Sequence, residues 1–240
     1  MLNKINLLAF AAHPDDVEIS ASGIMIKHQQ LGLSTGIVDL TRGELGTRGS
    51  ADIRDTESAK ATEIMKLKVR ENLGFKDGFF EVDEFHLLKV ITAIRKYQPD
   101  IVLINSESDR HPDHGRAHNL LKRACFLSGL PKIVTPFDGE ELVAWRPKTV
   151  YSYIQDYFIE PHLVVDVSEV WDQRMLALKA FSSQFYDPQS SEPLTPISNP
   201  EFFKFIEGRG MQFGRYINSK FGEGLRTIRP AGVENLSDLN

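Results

Sequence analysis

The stretch Ile5–Ser20, INLLAFAAHPDDVEIS, sets an apolar run against a histidine, a proline and two adjacent aspartates. The run Ile5–Ala11 shows no polar alternation, which predicts a strand covered on both faces. The segment after the aspartates, VEISASGIMIKHQQLG, has helical periodicity and predicts a helix closing at Gly32. The same strand-then-helix unit recurs downstream. STGIVDLT predicts a second strand, TRGELGTRGS a glycine-punctuated loop, and ADIRDTESAKATEIMKLK a charged amphipathic helix. VRENLGF predicts a short third strand and DEFHLLKVITAIRKY a third helix. PDIVLIN predicts a fourth strand, followed by polar SESDRHPDHGRAH and a helix from Gly115 to Leu127.

Four such units imply an α/β, Rossmann-like doubly wound fold, with a mostly parallel sheet and helices on both faces. Beyond them the expected elements are strands over Thr149–Ile154 and His162–Asp166 and a helix over Glu169–Phe181. Ser182–Pro200, with four prolines, reads as an irregular excursion: a lid, a surface loop or, preferably, a subunit contact. No repeat or linker divides the chain, so residues 1–240 are expected to form a single domain.

Composition narrows the function. A net charge of −5 argues against a nucleic-acid binder, which needs a basic surface to neutralise phosphates. No apolar stretch is long enough to cross a bilayer, and the strand-sized run at the start does not resemble a secretion signal. A cytoplasmic protein acting away from membranes is expected. The single cysteine, Cys125, excludes an internal disulfide and a thiolate metal cage, and reads as a buried core thiol.

In a sheet of order 3-2-1-4, strands 1 and 4 are neighbours, and the crevice beyond their carboxyl ends is where such folds bind ligands. HPDD follows the first strand and HPDH the fourth. Either alone reads equally well as a capped turn; together they place His13, Asp15, Asp16, His111, Asp113 and His114 in one crevice. Imidazoles with carboxylates suit a divalent metal, zinc foremost, with iron(II) also served by two histidines and a carboxylate. Paired aspartates suit a division of labour, one on the metal and one taking a proton from water. Further histidines can donate to an oxyanion and to the leaving group. Metal-assisted hydrolysis of an amide or ester is the expected chemistry, and the residues alone leave open which histidines ligate. His118, four residues after His114, is expected to support rather than ligate, and His28, His86 and His162 are expected to be ordinary. No G-x-S-x-G elbow or Walker loop occurs, and GRGMQFG has the wrong spacing for a dinucleotide fingerprint. A non-catalytic sugar- or nucleotide-binding module is the competing class, and it would bind no metal.

AAHPDDVEIS followed by HPDHG resembles the PIG-L/LmbE-like family of zinc-dependent de-N-acetylases, which act on N-acetylglucosaminyl conjugates. Within it, TRGELGTRGS, NLGFKDG and FGRYINSKFGEGL look most like the bacillithiol-biosynthesis deacetylases, which act on N-acetylglucosaminyl malate. Ile217–Asn218 departs from that pattern, where a glycine is expected after the apolar residue. The resemblance implies His13, Asp16 and His114 as zinc ligands, Asp15 as general base and His111 as oxyanion or leaving-group donor. It also implies Arg54, Arg110 and Asp113 as substrate contacts, a small-molecule sugar conjugate as substrate, and a homo-oligomer. A chito-oligosaccharide or an antibiotic precursor is the alternative substrate. Arg42, Arg48, Arg54, Arg110 and Arg116 are expected around the mouth, where guanidinium forks would suit a dicarboxylate such as malyl. Glu44 is expected to meet sugar hydroxyls or to cap a turn.

Overall fold

The computed structural model describes residues 4–235. In chain order the strands are β1 (Leu7–Ala11), β2 (Thr35–Thr41), β3 (Val69–Phe75), β4 (Ile101–Ile104), β5 (Pro136–Phe137), β6 (Glu140–Glu141), β7 (Thr149–Tyr153), β8 (Leu163–Asp166) and β9 (Gly222–Thr227). The helices are α1 (Asp16–Ser20), α2 (Ser22–Gln30), α3 (Ala51–Met65), α4 (Glu84–Tyr97), α5 (Pro112–Leu127), α6 (Trp171–Lys179) and α7 (Phe202–Tyr216). Seven strands form one sheet in the order β3-β2-β1-β4-β7-β9-β8, and β5 pairs only with β6. The expected α/β architecture and the order 3-2-1-4 are present.

Strand β1 lies parallel to both β2 and β4, so its carboxyl end and that of β4 are adjacent. Its side chains alternate between two cores, as the pleat requires. Leu7, Ala9 and Ala11 join the core beneath α2, α3 and α6, whereas Leu8 and Phe10 join the core beneath α4 and α5. This two-sided burial is why the strand carries an apolar run without alternation. No helix among the described residues is long and apolar enough to cross a membrane.

Four differences from the sequence reading have physical causes. The helix expected after HPDD is two helices, broken at Ala21 (φ −146°). A continuous helix would bond the Gly23 N–H to the Ile19 carbonyl. Here Gly23 and Ile24 donate instead to the Glu223 carboxylate (3.0 and 2.8 Å), and the Ile19 carbonyl accepts from Arg174 and Arg209 (2.5 and 3.0 Å). Helix α5 starts at Pro112 rather than Gly115, because proline suits the first helical position and the His111 ring accepts from the Asp113 N–H. HPDH is therefore a helix start rather than a loop.

GRGMQFG lies within α7. Its glycines serve packing: a Cβ at Gly210 would sit 2.4 Å from the Trp171 ring, and one at Gly214 within 2.8 Å of the backbone near Phe221. Strand β9 has no counterpart in the sequence reading; it inserts between β7 and β8, antiparallel to both. Asn218, the departure from the resemblance, has φ 56°, the left-handed region that glycine fills without cost and asparagine tolerates better than most residues.

Candidate active site

A cavity of about 360 Å³ opens at the carboxyl ends of β1 and β4. Of the expected residues, His13, Asp15, Asp16, Arg54, Arg110, His111 and His114 line it. Asp16 is the first residue of α1, and its carboxylate is held from several sides. Oδ2 accepts from the His13 N–H (3.0 Å) and the Asn105 amide (2.9 Å), and Oδ1 from the Gln155 amide (3.0 Å). The His114 Nε2 lies 3.1 Å from Oδ1, and the His13 Nδ1 3.8 Å from Oδ2.

The far nitrogen of each imidazole is backed by carboxylate. His13 Nε2 meets Asp77 at 3.0 Å and Asp113 at 3.3 Å, and His114 Nδ1 meets Asp109 at 2.6 Å. Carboxylate behind imidazole is the arrangement that orients metal-binding histidines and raises their basicity. One nitrogen from each of His13, His111 and His114 lies within 4.8 Å of the others, and His13, Asp77 and Asp113 form a second such group. The donor set therefore fits a divalent cation of borderline softness.

The surrounding carboxylates make the same place favourable to a proton, which an incoming ion would have to displace. Burial opposes a charge on His13, but the bonds to Asp113 and Asp77 and the charge of Asp16 prevail and push its pKa up to about 10. Burial likewise opposes a charge on His114, and Asp16 with Asp109 pushes it up to about 9. Burial works against the Asp16 carboxylate, yet His114 and His13 hold it well below the usual range. His111 moves the other way, down to about 4, through burial and the neighbouring imidazoles. The pocket draws positive charge to His13 and His114 and keeps His111 neutral. Because His111 Nδ1 accepts from the Asp113 N–H, its ring proton sits on Nε2.

Asp15 differs from every other carboxylate here. It precedes α1 with φ 115°, a conformation L-residues rarely adopt, and caps none of that helix's N–H groups with its side chain. No hydrogen bond engages its carboxylate among the described residues, although the residue is only 5% exposed and lines the cavity. Burial pushes its pKa up to about 7, with Arg54 opposing and Asp16 adding to the shift. A buried carboxylate with free lone pairs is placed to accept a proton.

The remaining expected residues divide. Arg54, on α3, reaches the cavity with its guanidinium against Gln184 and cradled by the glycine loop; a Cβ at Gly43 (φ 64°) would meet its Nη1 at 2.1 Å. Arg110 lines the cavity and pairs with Asp156 at 3.3 Å. Asp113 does not reach the cavity wall: it is fully buried behind His13, bonded also to Gly78 N (2.9 Å) and Arg116 (2.5 Å). Arg42 is tied to Asp52 and Asp55 on the surface, and Arg48 to the Ser183 and Pro193 carbonyls. The expected ring of five mouth arginines is thus reduced to two, because carboxylates and carbonyls closer to hand take the others.

His118 donates from Nδ1 to the Asn105 carbonyl (3.0 Å), off the cavity, in a supporting position. Glu44 accepts from the Asp77 N–H (2.8 Å) and fixes the loop. The Ser/Pro-rich excursion contributes Gln184, Thr195, Pro196 and Ile197 to the cavity wall. Sequence reasoning missed Asp77, Asp109, Gln155 and Arg209. Gln155 carried a weaker signal: it lies just past the carboxyl end of β7, as HPDD lies just past that of β1.

Known proteins resemble this chain over three-quarters of its length or more. A conserved protein from Thermus thermophilus superimposes with a TM-score of 0.84 at 33% identity, covering 97% of this chain and 98% of that one. The diacetylchitobiose deacetylase of Thermococcus kodakarensis is 26% identical over 92% of this chain and 82% of its own. A probable N-acetyl-alpha-D-glucosaminyl L-malate deacetylase 2 of Bacillus cereus is 27% identical over 75% and 83%. The 4-oxalmesaconate hydratase of Pseudomonas putida is 25% identical over 96% and 92%. Residues 8–125, spanning both polar clusters, match the family model described as PIG-L, GlcNAc-PI de-N-acetylase. With the sheet, the paired clusters and these relatives in agreement, the chain belongs to the PIG-L family of deacetylases.

Proposed function

We propose that the protein is a metal-dependent hydrolase that removes the N-acetyl group from an N-acetylglucosaminyl conjugate, with N-acetylglucosaminyl malate as first candidate. The observation that carries this reading is the pairing of an unpartnered, buried Asp15 carboxylate with the histidine–aspartate cluster beside it. His13, Asp16 and His114 would hold the ion, zinc or iron(II), each already oriented by Asp113 and Asp77, by Gln155 and Asn105, or by Asp109. A divalent ion in such a place supplies Lewis acidity to the acetyl carbonyl and lowers the pKa of water.

Within the chain, Asp15 takes the proton from the attacking water and returns it to the departing amine. His111, neutral with its proton on Nε2, donates to the oxyanion as the carbonyl carbon becomes tetrahedral. Arg54 and Arg110 on the wall orient the sugar or its aglycone, and Asp113 supports His13 rather than touching substrate. The cavity, about 360 Å³, is of the size that takes a small ligand. Water activation also underlies hydration of a double bond, the reaction named for the Pseudomonas putida relative. The experiment is therefore an acetate-release assay on N-acetylglucosaminyl malate and on N,N'-diacetylchitobiose, each with and without chelator. Chelator-sensitive release of acetate is the expected result. No release from either, with intact metal, overturns the reading.

A further inference from the structure

Three guanidiniums line the cavity, and they are not equivalent. Arg54 is cradled by the glycine loop and bonded to Gln184, and Arg110 is paired with Asp156. Arg209, from α7, forms an ion pair with no carboxylate among the described residues. Its Nη2 donates to the Ile19 carbonyl at 3.0 Å, and its buried Nη1 has no hydrogen-bond partner among them. The nearby acids are already committed: Glu223 to Arg174, Gly23 and Ile24, Asp156 to Arg110, and Asp109 to His114. Burial and the neighbouring Arg174 pull the Arg209 pKa down to about 10, the direction expected where a cation lacks its counter-charge. A slot of about 10 Å³ between Arg209 and Ser20 has room for about one water, which would occupy a donor but not balance the charge.

The walls around Arg209 are apolar. Ile19, Ile197, Phe202, Phe205 and Ile206 line the same cavity, the last three from the helix that carries Arg209, and the Phe205 ring lies 5.7 Å from the guanidinium. An anion meeting a guanidinium against such apolar side chains would be partly desolvated, and a charge-assisted pair gains strength in such surroundings.

We propose that Arg209 is the carboxylate-binding residue of the cavity, so that the preferred substrate carries an acidic aglycone. This rests on the deacetylase reading and narrows its substrate class. Arg209 would act on specificity by gripping the group that the neutral chitobiose lacks.

The test compares wild type with Arg209→Met and Arg209→Lys on N-acetylglucosaminyl malate and N,N'-diacetylchitobiose, alongside calorimetric titration with L-malate alone. In Arg209→Met, kcat/KM for the malyl conjugate is expected to fall about 10- to 100-fold, mainly through KM, as for a lost hydrogen bond to a charged group. Turnover of chitobiose is expected to fall much less than that of the malyl conjugate, and malate binding to weaken in parallel with the latter. Arg209→Lys keeps the charge and the fold while losing the fork, and is expected to recover part of the loss. Equal losses on both substrates would show that Arg209 only props the Ile19 carbonyl, and would overturn the inference. Unchanged malate binding in Arg209→Met would overturn it too. The two readings fail separately. Arg209-dependent malate binding without acetate release removes the deacetylase function and leaves the anion site; acetate release without carboxylate preference does the reverse.

Discussion

Two clusters of buried charge lie side by side at the carboxyl end of the sheet, and they are built on opposite principles. In one, the Arg70 guanidinium meets Glu18 at 2.6 Å and both oxygens of Asp39 at 2.8 and 3.1 Å. Glu18 is 0% exposed and Asp39 2%, and neither lines the cavity. In the other, Asp16, Asp77, Asp109 and Asp113 converge on two imidazoles, and Asp15 faces open space with no partner among the described residues. The first cluster receives a guanidinium from the chain, one cation shared by two carboxylates, through a fork that cannot leave. The second is supplied with groups whose charge depends on what they hold, and it opens onto a cavity. Burial of acids therefore does not mark a site; an acid left without its opposite beside an opening does.

Substitutions can test this contrast. The largest effect is expected at Asp15→Ala, which should lower turnover about 100- to 10,000-fold while bound metal stays near about one per chain, read by elemental analysis beside kinetics. Retention of most activity would remove the base from the mechanism. Next comes Arg70→Met, which strands two buried carboxylates and should destabilise by about 3–5 kcal/mol in denaturant titration. A loss below about 1 kcal/mol would mean the closed cluster is not held by its arginine. Adding zinc at about 100 times its dissociation constant should stabilise wild type by about 2.7 kcal/mol, because the ion binds only the folded chain. His114→Ala should lose most of that increment, and a full increment there would exclude His114 as a ligand. The smallest effect concerns Cys125, which faces neither cluster. Buried at 4% exposure with its pKa pushed up to about 12 by burial, it should react with thiol reagents slowly in native protein and fast in denaturant. Rapid native labelling would show that the core beneath α5 opens.

Part of the open cluster is legible in the sequence, whereas the pairing of Arg70 with Glu18 and Asp39 is not. The adjacency of HPDD and HPDH follows from strand order, and β1 betrays its two-sided burial in its composition. What escaped prediction was decided by distant contacts. Helix α7 carries three glycines that lower its propensity, and it forms because Phe202, Ile206 and Phe213 are buried on one face. Strand β9, GEGLRT, has a third of its residues as glycine, and Gly222 sits where a Cβ would meet Val164 at 2.5 Å. Its neighbours select glycine against strand propensity. Arg209 lies about 200 residues from the HPDD motif, and only the fold reveals that nearby acids are taken by other partners. Asp113 shows the converse: it sits in the right motif, but α5 begins early enough to turn it behind His13.

The Glu223 carboxylate, bonded to the N–H groups of Gly23 and Ile24, links segments about 200 residues apart at the base of the first helices. During synthesis the HPDD and HPDH segments leave the ribosome long before residue 223 does. Until then α2 lacks the group that receives its first N–H bonds, the Arg174 charge is uncompensated, and β7 and β8 lack the strand that joins them. The nascent chain can assemble the parallel half of the sheet while the start of α2 waits on β9. A stalled or clipped chain ending before β9 would present both polar clusters without the frame that positions them, and a quality-control system would encounter exposed apolar sheet edge rather than a partly working enzyme.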